Sequence, residues 1–435
     1  MKNLSIIILA AGKGTRMNSS VPKVFQLLGG LALIDHCLKT ARLLKPHKIY
    51  LVLNQKIEKK YFENDQLIKC LYQKKQLGTA DAIKTCLSSL KGSRGKVLIL
   101  YADHPLIKLS TLKKVVNLKS NNEINLLGFV KEEFNSYGKV ILGTDGLVKE
   151  IIEQNELSSK DKFVLCNSGI FCAKTSVLTR LVLKIKNDNK KKEFYLTDIF
   201  KIASQNKFLT KIVMGNEDEI MGINDKKELA VAENFLQNDL RDKFLKKGVS
   251  MKDPQTVYLC SDTKIGKDVT IYPYVFIGPN VKIANGATIY SFSHLENCNI
   301  GKNTNIGPYA RLRPGAKIAE GAKVGNFVEV KNSIIGKNSQ ANHLTYIGDT
   351  DVGKNVNFGA GTITCNYDGK KKHKTIIEDE AFIGSNSSII APVRIGKKAY
   401  IGSGSAISKD VNPNSLAIER STQVEVKDWL KKVKK

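Results

Sequence analysis

The sequence has little of what nucleic-acid-binding proteins depend on. It contains one tryptophan, Trp429, and only nine of its 69 basic residues are arginine. Arginine is the favoured bidentate reader of bases, and aromatic side chains among basic ones stack on single strands. The formal net charge of +28 suggests a polyanionic partner, but this scarcity argues against nucleic acid. We attribute most of the charge to a lysine-biased composition and a solvated surface.

The cysteine pattern excludes two further classes. No two of the eight cysteines have CxxC spacing, which argues against a structural zinc site and favours reduced thiols. These cysteines stand at positions 37, 70, 86, 166, 172, 260, 298 and 365.

Membrane and export signals are also lacking. No apolar run approaches the ~18 residues of a membrane span, and the first residues do not resemble a cleavable signal. The sequence therefore predicts a cytoplasmic protein without membrane insertion.

The length of 435 residues and a hydrophobic fraction of 42% predict two or three domains with real cores. Residues 1–225 alternate short apolar runs, such as residues 4–11, 49–53 and 96–101, with helical patterns such as residues 80–90. This alternation predicts a doubly wound α/β domain with a parallel sheet, whose ligands bind at the carboxyl ends of the strands.

Residues 226–247 read as one helix, because apolar residues recur at three- and four-residue spacing before Gly248. We predict domain boundaries at 1–225, a linker helix at 226–250, and a second domain at 251–435.

A six-residue period dominates the second domain. Aliphatic residues recur every sixth position from about residue 255 to 411, as in Ile271, Ile277, Ile283 and Ile289, and glycine often follows them. This period fits a triangular parallel β-helix, in which each unit supplies one short strand and a turn. One interruption, between Thr364 and Ile377, carries a polar insertion at residues 366–374, which we expect to form a functional surface loop.

The segment after the first apolar run carries the first chemical signal. It reads Leu9-Ala10-Ala11-Gly12-Lys13-Gly14-Thr15-Arg16-Met17 and is followed by Pro22-Lys23. Backbone amides of such a turn can cradle phosphates, while Arg16 and Lys23 neutralise charge. With Gln73, the run Gln76 to Ala80, the run Tyr101 to Leu106 and Gly222-Ile223-Asn224, the segment resembles the sugar-phosphate nucleotidyltransferases.

That resemblance implies roles for individual residues. Arg16 and Lys23 would be catalytic, and Mg²⁺ would bind to Asp103 and Asn224. The nucleotide and sugar would contact Leu9, Ala10, Ala11, Gly12, Lys23, Gln73, Gly78, Thr79, Asp103, Gly138, Glu153, Asn167 and Asn224. Two anions must react in nucleotidyl transfer, so neutralised charge and in-line positioning would supply most of the catalysis.

The β-helical half resembles the hexapeptide acyltransferases. The motifs Arg311-Leu312-Arg313-Pro314-Gly315, Asn342-His343-Leu344-Thr345-Tyr346 and the long run from Asn357 to Gly369 carry the likeness. The resemblance implies a left-handed β-helix, with His343 as general base and Asn366 orienting either the base or the substrate amine. Arg313, Lys331, Tyr346 and Asn357 would hold the acceptor sugar phosphate. Acetyl-CoA would contact Ala360, Asn366, Tyr367, Lys372, Ser385, Ser403 and Arg420.

Together the halves resemble the bifunctional enzymes that join glucosamine-1-phosphate N-acetyltransferase to N-acetylglucosamine-1-phosphate uridyltransferase. The likeness spans about residues 4–425 and adds a Rossmann-like first domain and a homotrimer to the expectations. Its substrates would be small molecules: glucosamine 1-phosphate, acetyl-CoA, N-acetylglucosamine 1-phosphate and UTP. The product, UDP-N-acetylglucosamine, would feed peptidoglycan and lipopolysaccharide precursors.

Two alternatives share this domain order. One is a single-activity sugar-nucleotide pyrophosphorylase with a regulatory solenoid. The other is a non-enzymatic subunit of a translation-factor exchange complex. A non-enzymatic exchange subunit is expected to lack a catalytic pair such as Lys23 and Asp103, which is present here. A regulatory solenoid is expected to lack the pair His343 and Asn366, which is also present.

Overall fold

The computed structural model describes residues 3–54, 59–62, 64–131, 137–153, 165–189 and 192–433. The chain divides into two compact units, Met1–Leu236 and Gln237–Lys435. The division falls inside one long helix, Lys226–Leu245. In the described ranges, no helix is both long and apolar enough to cross a membrane.

The first unit alternates strands and helices. Its strands are β1 (Leu4–Ala10), β2 (Leu27–Leu28), β3 (Leu31–Ala32), β4 (Lys48–Leu53), β5 (Ile68–Tyr72), β6 (Lys96–Tyr101), β7 (Glu123–Val130), β8 (Lys139–Leu142), β9 (Val148–Ile152), β10 (Leu165–Lys174) and β11 (Leu209–Met214). Its α-helices are α1 (Leu33–Leu43), α2 (Thr79–Lys84), α3 (Leu87–Leu90), α4 (Leu109–Val115), α5 (Thr175–Val182), α6 (Asp198–Gln205) and α7 (Glu217–Ile220). The long helix α8 (Lys226–Leu245) begins in this unit and ends in the second.

The main sheet has the strand order β11-β7-β10-β6-β1-β4-β5. The strand β1 runs parallel to both β4 and β6, whereas β10 runs antiparallel to β6 and β7. The expectation of a wholly parallel sheet is therefore wrong for β10, because an apolar run predicts that a strand is buried but not its direction. The α/β class itself is confirmed.

Both faces of this sheet are covered. All seven residues of β1 are buried. Ile6 and Ile8 belong to one core cluster, while Ile7 and Leu9 belong to another. Two cores on opposite faces are what a doubly wound fold requires. The helix expected at residues 80–90 is broken into α2 and α3, and near the break the Thr85 hydroxyl bonds back to the Ala82 carbonyl at 2.7 Å.

The second unit is a prism of three parallel sheets. Face 1 consists of β12 (Ser250–Met251), β15 (Thr270–Ile271), β18 (Thr288–Ile289), β21 (Asn305–Ile306), β24 (Lys323–Asn326), β27 (Gln340–His343), β30 (Asn357–Phe358), β33 (Phe382–Ile383), β36 (Tyr400–Ile401) and β38 (Leu416–Ala417). Face 2 consists of β13 (Tyr258–Leu259), β16 (Phe276–Ile277), β19 (His294–Leu295), β22 (Arg311–Leu312), β25 (Glu329–Lys331), β28 (Tyr346–Gly348), β31 (Ile363–Cys365), β34 (Ser388–Ile390) and β37 (Ala406–Ile407). Face 3 consists of β14 (Lys264–Ile265), β17 (Lys282–Ile283), β20 (Asn299–Ile300), β23 (Lys317–Ile318), β26 (Ile334–Ile335), β29 (Thr350–Val352), β32 (Thr375–Ile377) and β35 (Val393–Ile395). A short helix, α9 (Trp429–Val433), follows.

The coils stack as the six-residue period predicts. On face 1, Ile271 pairs with Ile289 of the next coil, 18 residues along the chain, and both side chains are fully buried. Some coils are one residue shorter, since Ile283 pairs with Ile300 and Val324 pairs with Ala341, in each case 17 residues along the chain. The insertion loops out between β31 and β32, where Val352 pairs with Ile377. The predicted β-helix is confirmed.

Candidate active sites

A cleft of about 550 Å³ opens at the carboxyl ends of the central strands of the first unit. This is where open α/β sheets bind ligands. Eight of the predicted nucleotide- and sugar-binding residues line it: Leu9, Ala11, Gly12, Gln73, Gly78, Thr79, Asp103 and Glu153.

The turn after β1 is shaped by its approach to Lys23. Gly14 has a φ of 64°, and a Cβ on it would lie 2.6 Å from the Lys23 Cβ. No residue with a side chain fits there, so the glycine lets the lysine stand against the turn. Arg16 is exposed on the following turn and makes no hydrogen bond or ion pair within the described residues. Ala10 is buried as the last residue of β1.

Lys23 joins the two predicted metal ligands. Its Nζ donates to Asp103 Oδ2 and, at 2.9 Å, to Asn224 Oδ1. Asp103 follows β6 and Asn224 follows α7, so three distant segments of the chain meet at one ammonium. The Ile223 amide also donates to the Asp103 carbonyl at 2.9 Å, which fixes the two segments together.

The charges at this point favour an ionised carboxylate. Burial by itself would raise the pKa of Asp103, but the positive charge of Lys23, the neighbouring His104 and the hydrogen bond from Lys23 outweigh it and lower that pKa. Burial lowers the pKa of His104.

The donor set fits a hard cation. Asp103 Oδ1 is buried and has no hydrogen-bond partner within the described residues. The Asp103 carboxylate and the Asn224 amide oxygen, which both accept from Lys23, are of the ligand type that Mg²⁺ prefers. This ion binds oxygen atoms and usually has few protein ligands. No cluster of three or more His, Cys, Asp or Glu side chains suited to a metal occurs in the part of the chain that the structure describes.

The predicted sugar-binding residues gather near the ends of β8, β9 and β10. The Asn167 amide donates to the Gly138 carbonyl at 2.8 Å. Glu153 accepts a hydrogen bond from the Thr197 hydroxyl at 2.8 Å and has an oxygen 3.7 Å from the Cβ position of Gly138. Gly138, Glu153 and Asn167, expected together from the motifs, are therefore neighbours.

Gln73 and Gln76 also line the cleft, and their side chains are held by hydrogen bonds. Gln73 donates to the Gly78 carbonyl at 3.0 Å and to Asp81 at 2.9 Å, so its carboxamide is held in one orientation. Gln76 donates to the Ala11 carbonyl at 2.6 Å and ties this segment to the glycine turn. Gln76, Tyr101 and Tyr195 also line the cleft, although the sequence assigned none of them a site role; Gln76 and Tyr101 stand in the motifs.

In the second unit, one column of residues follows the edge between faces 1 and 2, here called edge 1–2. Asn326 pairs with His343, and the register of β27, β30, β33 and β36 continues the column through Ala360, Ser385 and Ser403. Arg420 lies at the end of this edge, where its Cδ is 3.7 Å from the Cβ position of Gly404. The expected base and four expected acetyl-CoA residues thus share one edge.

His343 is exposed at the end of β27. Its Nδ1 is 2.7 Å from the Asn326 Oδ1 of the preceding coil. No role for Asn326 was predicted from the sequence, because its pairing with His343 depends on a coil repeat of 17 residues that only the strand register reveals.

Cationic and polar residues meet at the edge between faces 2 and 3, here called edge 2–3. Arg313 donates to Glu329 at 2.7 Å. The close approach of Lys372, together with partial burial and the charge of Arg313, lowers the pKa of Lys331. Three cations, Arg313, Lys331 and Lys372, thus lie near one another together with the carboxylates of Glu329 and Asp349, and such a group of cations suits a multiply charged anion.

Tyr346 and Asn366 approach this cluster over Gly348. A Cβ on Gly348 would lie 2.5 Å from the Tyr346 hydroxyl and 2.8 Å from the Asn366 amide nitrogen. Asn366 is buried and donates to Asp349. Tyr367 is exposed on the insertion loop, where an isolated bridge pairs it with Lys372.

Within one chain, the acetyl-transfer residues are divided among three places. His343, Ala360, Ser385, Ser403 and Arg420 lie on edge 1–2. Arg313, Lys331, Asn366, Tyr367 and Lys372 lie at edge 2–3, and the Tyr346 hydroxyl reaches toward it. Asn357 lies on face 1, on β30, apart from the other expected sugar-phosphate residues.

Two family profiles match the chain, one for each unit. The MobA-like NTP transferase domain family matches residues 6–134. The bacterial transferase hexapeptide family matches residues 262–297, 297–332 and 374–409. With the two sites described above, they define a two-part transferase: a nucleotidyltransferase unit joined to a hexapeptide-repeat transferase unit.

Relatives named bifunctional protein GlmU match the chain from end to end. The one from Geotalea uraniireducens is 40% identical over 457 residues, covering 100% of both chains. That from Wolbachia pipientis is 42% identical over 427 residues, 97% of this chain and 98% of the relative. The relative from Zymomonas mobilis is 41% identical over 438 residues, which are 99% of this chain and 97% of the relative.

The chain belongs to the GlmU family. It is therefore a bifunctional enzyme, with a Rossmann-like nucleotidyltransferase unit and a left-handed β-helical acetyltransferase unit. Neither the single-activity pyrophosphorylase nor the non-enzymatic exchange subunit is favoured, because the relatives match both units at once.

Proposed function

We propose that this chain makes UDP-N-acetylglucosamine in two steps. The β-helical unit acetylates glucosamine 1-phosphate from acetyl-CoA, and the α/β unit joins the product to UTP and releases pyrophosphate. One observation carries this proposal: a single chain, matched over its whole length by bifunctional relatives, holds both the Lys23–Asp103–Asn224 centre and the His343 edge.

Acetyl transfer needs a base, and His343 supplies it. The amine nitrogen of the sugar attacks the thioester carbonyl carbon, so a C–N bond forms and the C–S bond breaks. The amine proton passes to His343 and then to the departing coenzyme A sulfur. An imidazole suits both transfers because it exchanges protons near neutral pH.

The column on edge 1–2 suits the extended arm of coenzyme A. Successive rungs of a parallel β-helix are about 4.8 Å apart, so the column offers a contact to each short segment of a linear ligand. Ala360, Ser385 and Ser403 would line the arm, and Arg420 at the end would meet its phosphates.

The cations at edge 2–3 suit the phosphate of the sugar. Arg313 and Lys331 would bind it, with Lys372 closing from the insertion loop. Tyr346 and Asn366 would hold the sugar, and Asn357 would add a contact from face 1.

Uridyl transfer would take place in the α/β cleft. A phosphate oxygen of N-acetylglucosamine 1-phosphate attacks the α-phosphorus of UTP, and the bond to pyrophosphate breaks. Lys23 and the exposed Arg16 would neutralise the phosphates, and the glycine turn would cradle them through its amides. Mg²⁺, held by Asp103 and Asn224, would supply charge stabilisation on the phosphate oxygens when bound.

The uridine and sugar would occupy opposite ends of this cleft. Gln73, Gly78 and Thr79 would contact the nucleobase, while Gly138, Glu153 and Asn167 would contact the sugar. Leu9, Ala10, Ala11 and Gly12 would contribute the turn between them.

A homotrimer through the β-helix is part of the proposal. The rings of Tyr274, Phe292, Tyr309 and Phe327 stack along edge 1–2 with centroids 5.2, 4.8 and 5.1 Å apart, yet each residue is 48–59% exposed. An exposed apolar stripe marks an interface. The division of acetyl-CoA residues between two edges supports a site completed by a second copy.

We place the reaction in the cytoplasm. None of the eight cysteines, all of which lie in described ranges, forms a disulfide. Unbridged thiols in a chain of this size suit a reducing compartment.

Two single substitutions test the assignment of two separate centres. His343→Ala should abolish acetyl transfer and leave uridyl transfer unchanged, whereas Asp103→Ala should do the reverse. Each activity is measured alone, with N-acetylglucosamine 1-phosphate supplied for the uridyl step. Loss of both activities in either folded variant would contradict the proposal.

A further inference from the structure

Asn326 faces His343 from the preceding coil of the β-helix. Asn326 ends β24 as His343 ends β27, and the two residues are direct partners in the ladder. Their side chains meet at 2.7 Å, between His343 Nδ1 and Asn326 Oδ1. This contact is made entirely inside one chain.

We propose that Asn326 is a positioning residue for acetyl transfer, which holds the His343 ring with Nδ1 as donor and Nε2 as the free base. This inference rests on the proposed function of His343.

The chemistry of the reaction requires this orientation of the amide. When His343 takes up the amine proton, both ring nitrogens become donors. An amide oxygen at Nδ1 accepts a hydrogen bond from the ring before and after that transfer. An amide NH₂ group at the same place would face a second donor once the ring was charged.

The partner of the ring is also a neutral group. A carboxylate beside an imidazole favours its charged form and so raises its pKa. Asn326 fixes the ring without adding a negative charge. On the neighbouring rungs, β24 carries one ionisable side chain, Lys323, at its other end, and β30 (Asn357–Phe358) carries none.

The backbone around the pair limits how far it can move. The Leu344 amide donates to the Asn326 carbonyl at 3.0 Å, and the Thr345 hydroxyl donates to the His343 carbonyl at 2.7 Å. Asn326 is half-buried, whereas His343 is exposed. The partly enclosed amide can therefore orient the exposed ring.

The test compares Asn326→Ala and Asn326→Asp with a matched control, Asn342→Ala. Asn342 directly precedes His343, and its amide contacts Gln340 at 3.3 Å. We expect Asn326→Ala to lower kcat for acetyl transfer about ten- to hundredfold, as loss of an orienting partner does elsewhere, with KM little changed. Asn342→Ala should keep the kcat of the parent enzyme.

Two further readouts separate positioning from a structural role. In ¹⁵N NMR of the full chain, neutral His343 should carry its proton on Nδ1, and Asn326→Ala should give a mixture of tautomers. Asn326→Asp keeps the acceptor, so it should restore kcat at higher pH, with the acid limb of the kcat profile moved upward.

The possible failures are distinguishable. If Asn326→Ala matches Asn342→Ala in kcat and in tautomer, the role of Asn326 is refuted. If His343→Ala keeps acetyl transfer, the proposed function of His343 fails instead. Unchanged uridyl transfer and an unchanged melting temperature show that each variant is folded.

Discussion

Gly348→Ala adds one methyl group and should lower acetyl transfer far more than it lowers the stability of the β-helix. Gly348 is buried on β28, and its φ lies outside the left-handed region, so alanine can adopt its backbone conformation. Its Cβ would stand 2.5 Å from the Tyr346 hydroxyl and 2.8 Å from the Asn366 amide nitrogen. Ordinary contact begins at 3.4 Å, so the hydroxyl must retreat by about 0.9 Å.

The displaced atoms are the ends of side chains, and therefore the fold can absorb the change. Overpacking of a core usually costs about 1–3 kcal/mol, and we expect the low end of that range here. The catalytic cost should be larger, since misplacement of a substrate-holding group by about 1 Å can lower a rate about 100-fold. Gly348→Ala should thus lose about two orders of magnitude in kcat/KM for acetyl transfer.

The assay follows release of the coenzyme A thiol in the presence of glucosamine 1-phosphate, with uridyl transfer as the internal reference. Gly278→Ala is the matched control, because Gly278 occupies the same column of face 2, four coils away, and its Cβ would lie 3.0 Å from the Leu295 carbonyl oxygen. Parental acetyl-transfer kinetics in Gly348→Ala would show that Tyr346 and Asn366 do not hold the substrate.

Three further outcomes follow from the structure. Lys331→Gln removes a charge-assisted contact worth about 1.5–3 kcal/mol, so KM for glucosamine 1-phosphate should rise about 10- to 100-fold while KM for acetyl-CoA stays constant; an equal rise in both would contradict the phosphate assignment. Ile306→Ala, at a fully buried position, should lower the free energy of unfolding of the β-helix by about 2–5 kcal/mol in urea, and a change near zero would contradict its place in the core. Burial raises the pKa of four cysteines to about 12, so a thiol reagent at pH 8 should label them only after unfolding, as peptide mapping will show: Cys37, Cys86, Cys172 and Cys298.

The fold of the second unit could be predicted closely because each six-residue period of the sequence corresponds to one strand and one turn of the β-helix. Each inward aliphatic residue marks one strand, so positions such as Ile289 and Ile306 locate both the core and the coil. The first unit was less predictable. The antiparallel direction of β10 depends on tertiary pairing, which a local apolar run does not encode.

The candidate sites show the same contrast. The resemblance to the nucleotidyltransferases predicted that Lys23, Asp103 and Asn224 belong to one site. In the structure, Lys23 contacts both of the other residues. Local sequence could not show that Lys23 stands between the other two, because they are 80 and 201 residues away from it. Asn326 was missed for a related reason: its contact with His343 depends on the length of one coil.

If one chain supplies both activities, it should carry out acetyl transfer and uridyl transfer in sequence. The direct measurement is ³¹P NMR of the purified protein with glucosamine 1-phosphate, acetyl-CoA, UTP and Mg²⁺, with each reagent omitted in turn. We predict UDP-N-acetylglucosamine and pyrophosphate from the complete mixture, and N-acetylglucosamine 1-phosphate alone when UTP is omitted. A sugar nucleotide formed only when N-acetylglucosamine 1-phosphate is supplied from outside would show that this chain does not acetylate glucosamine 1-phosphate.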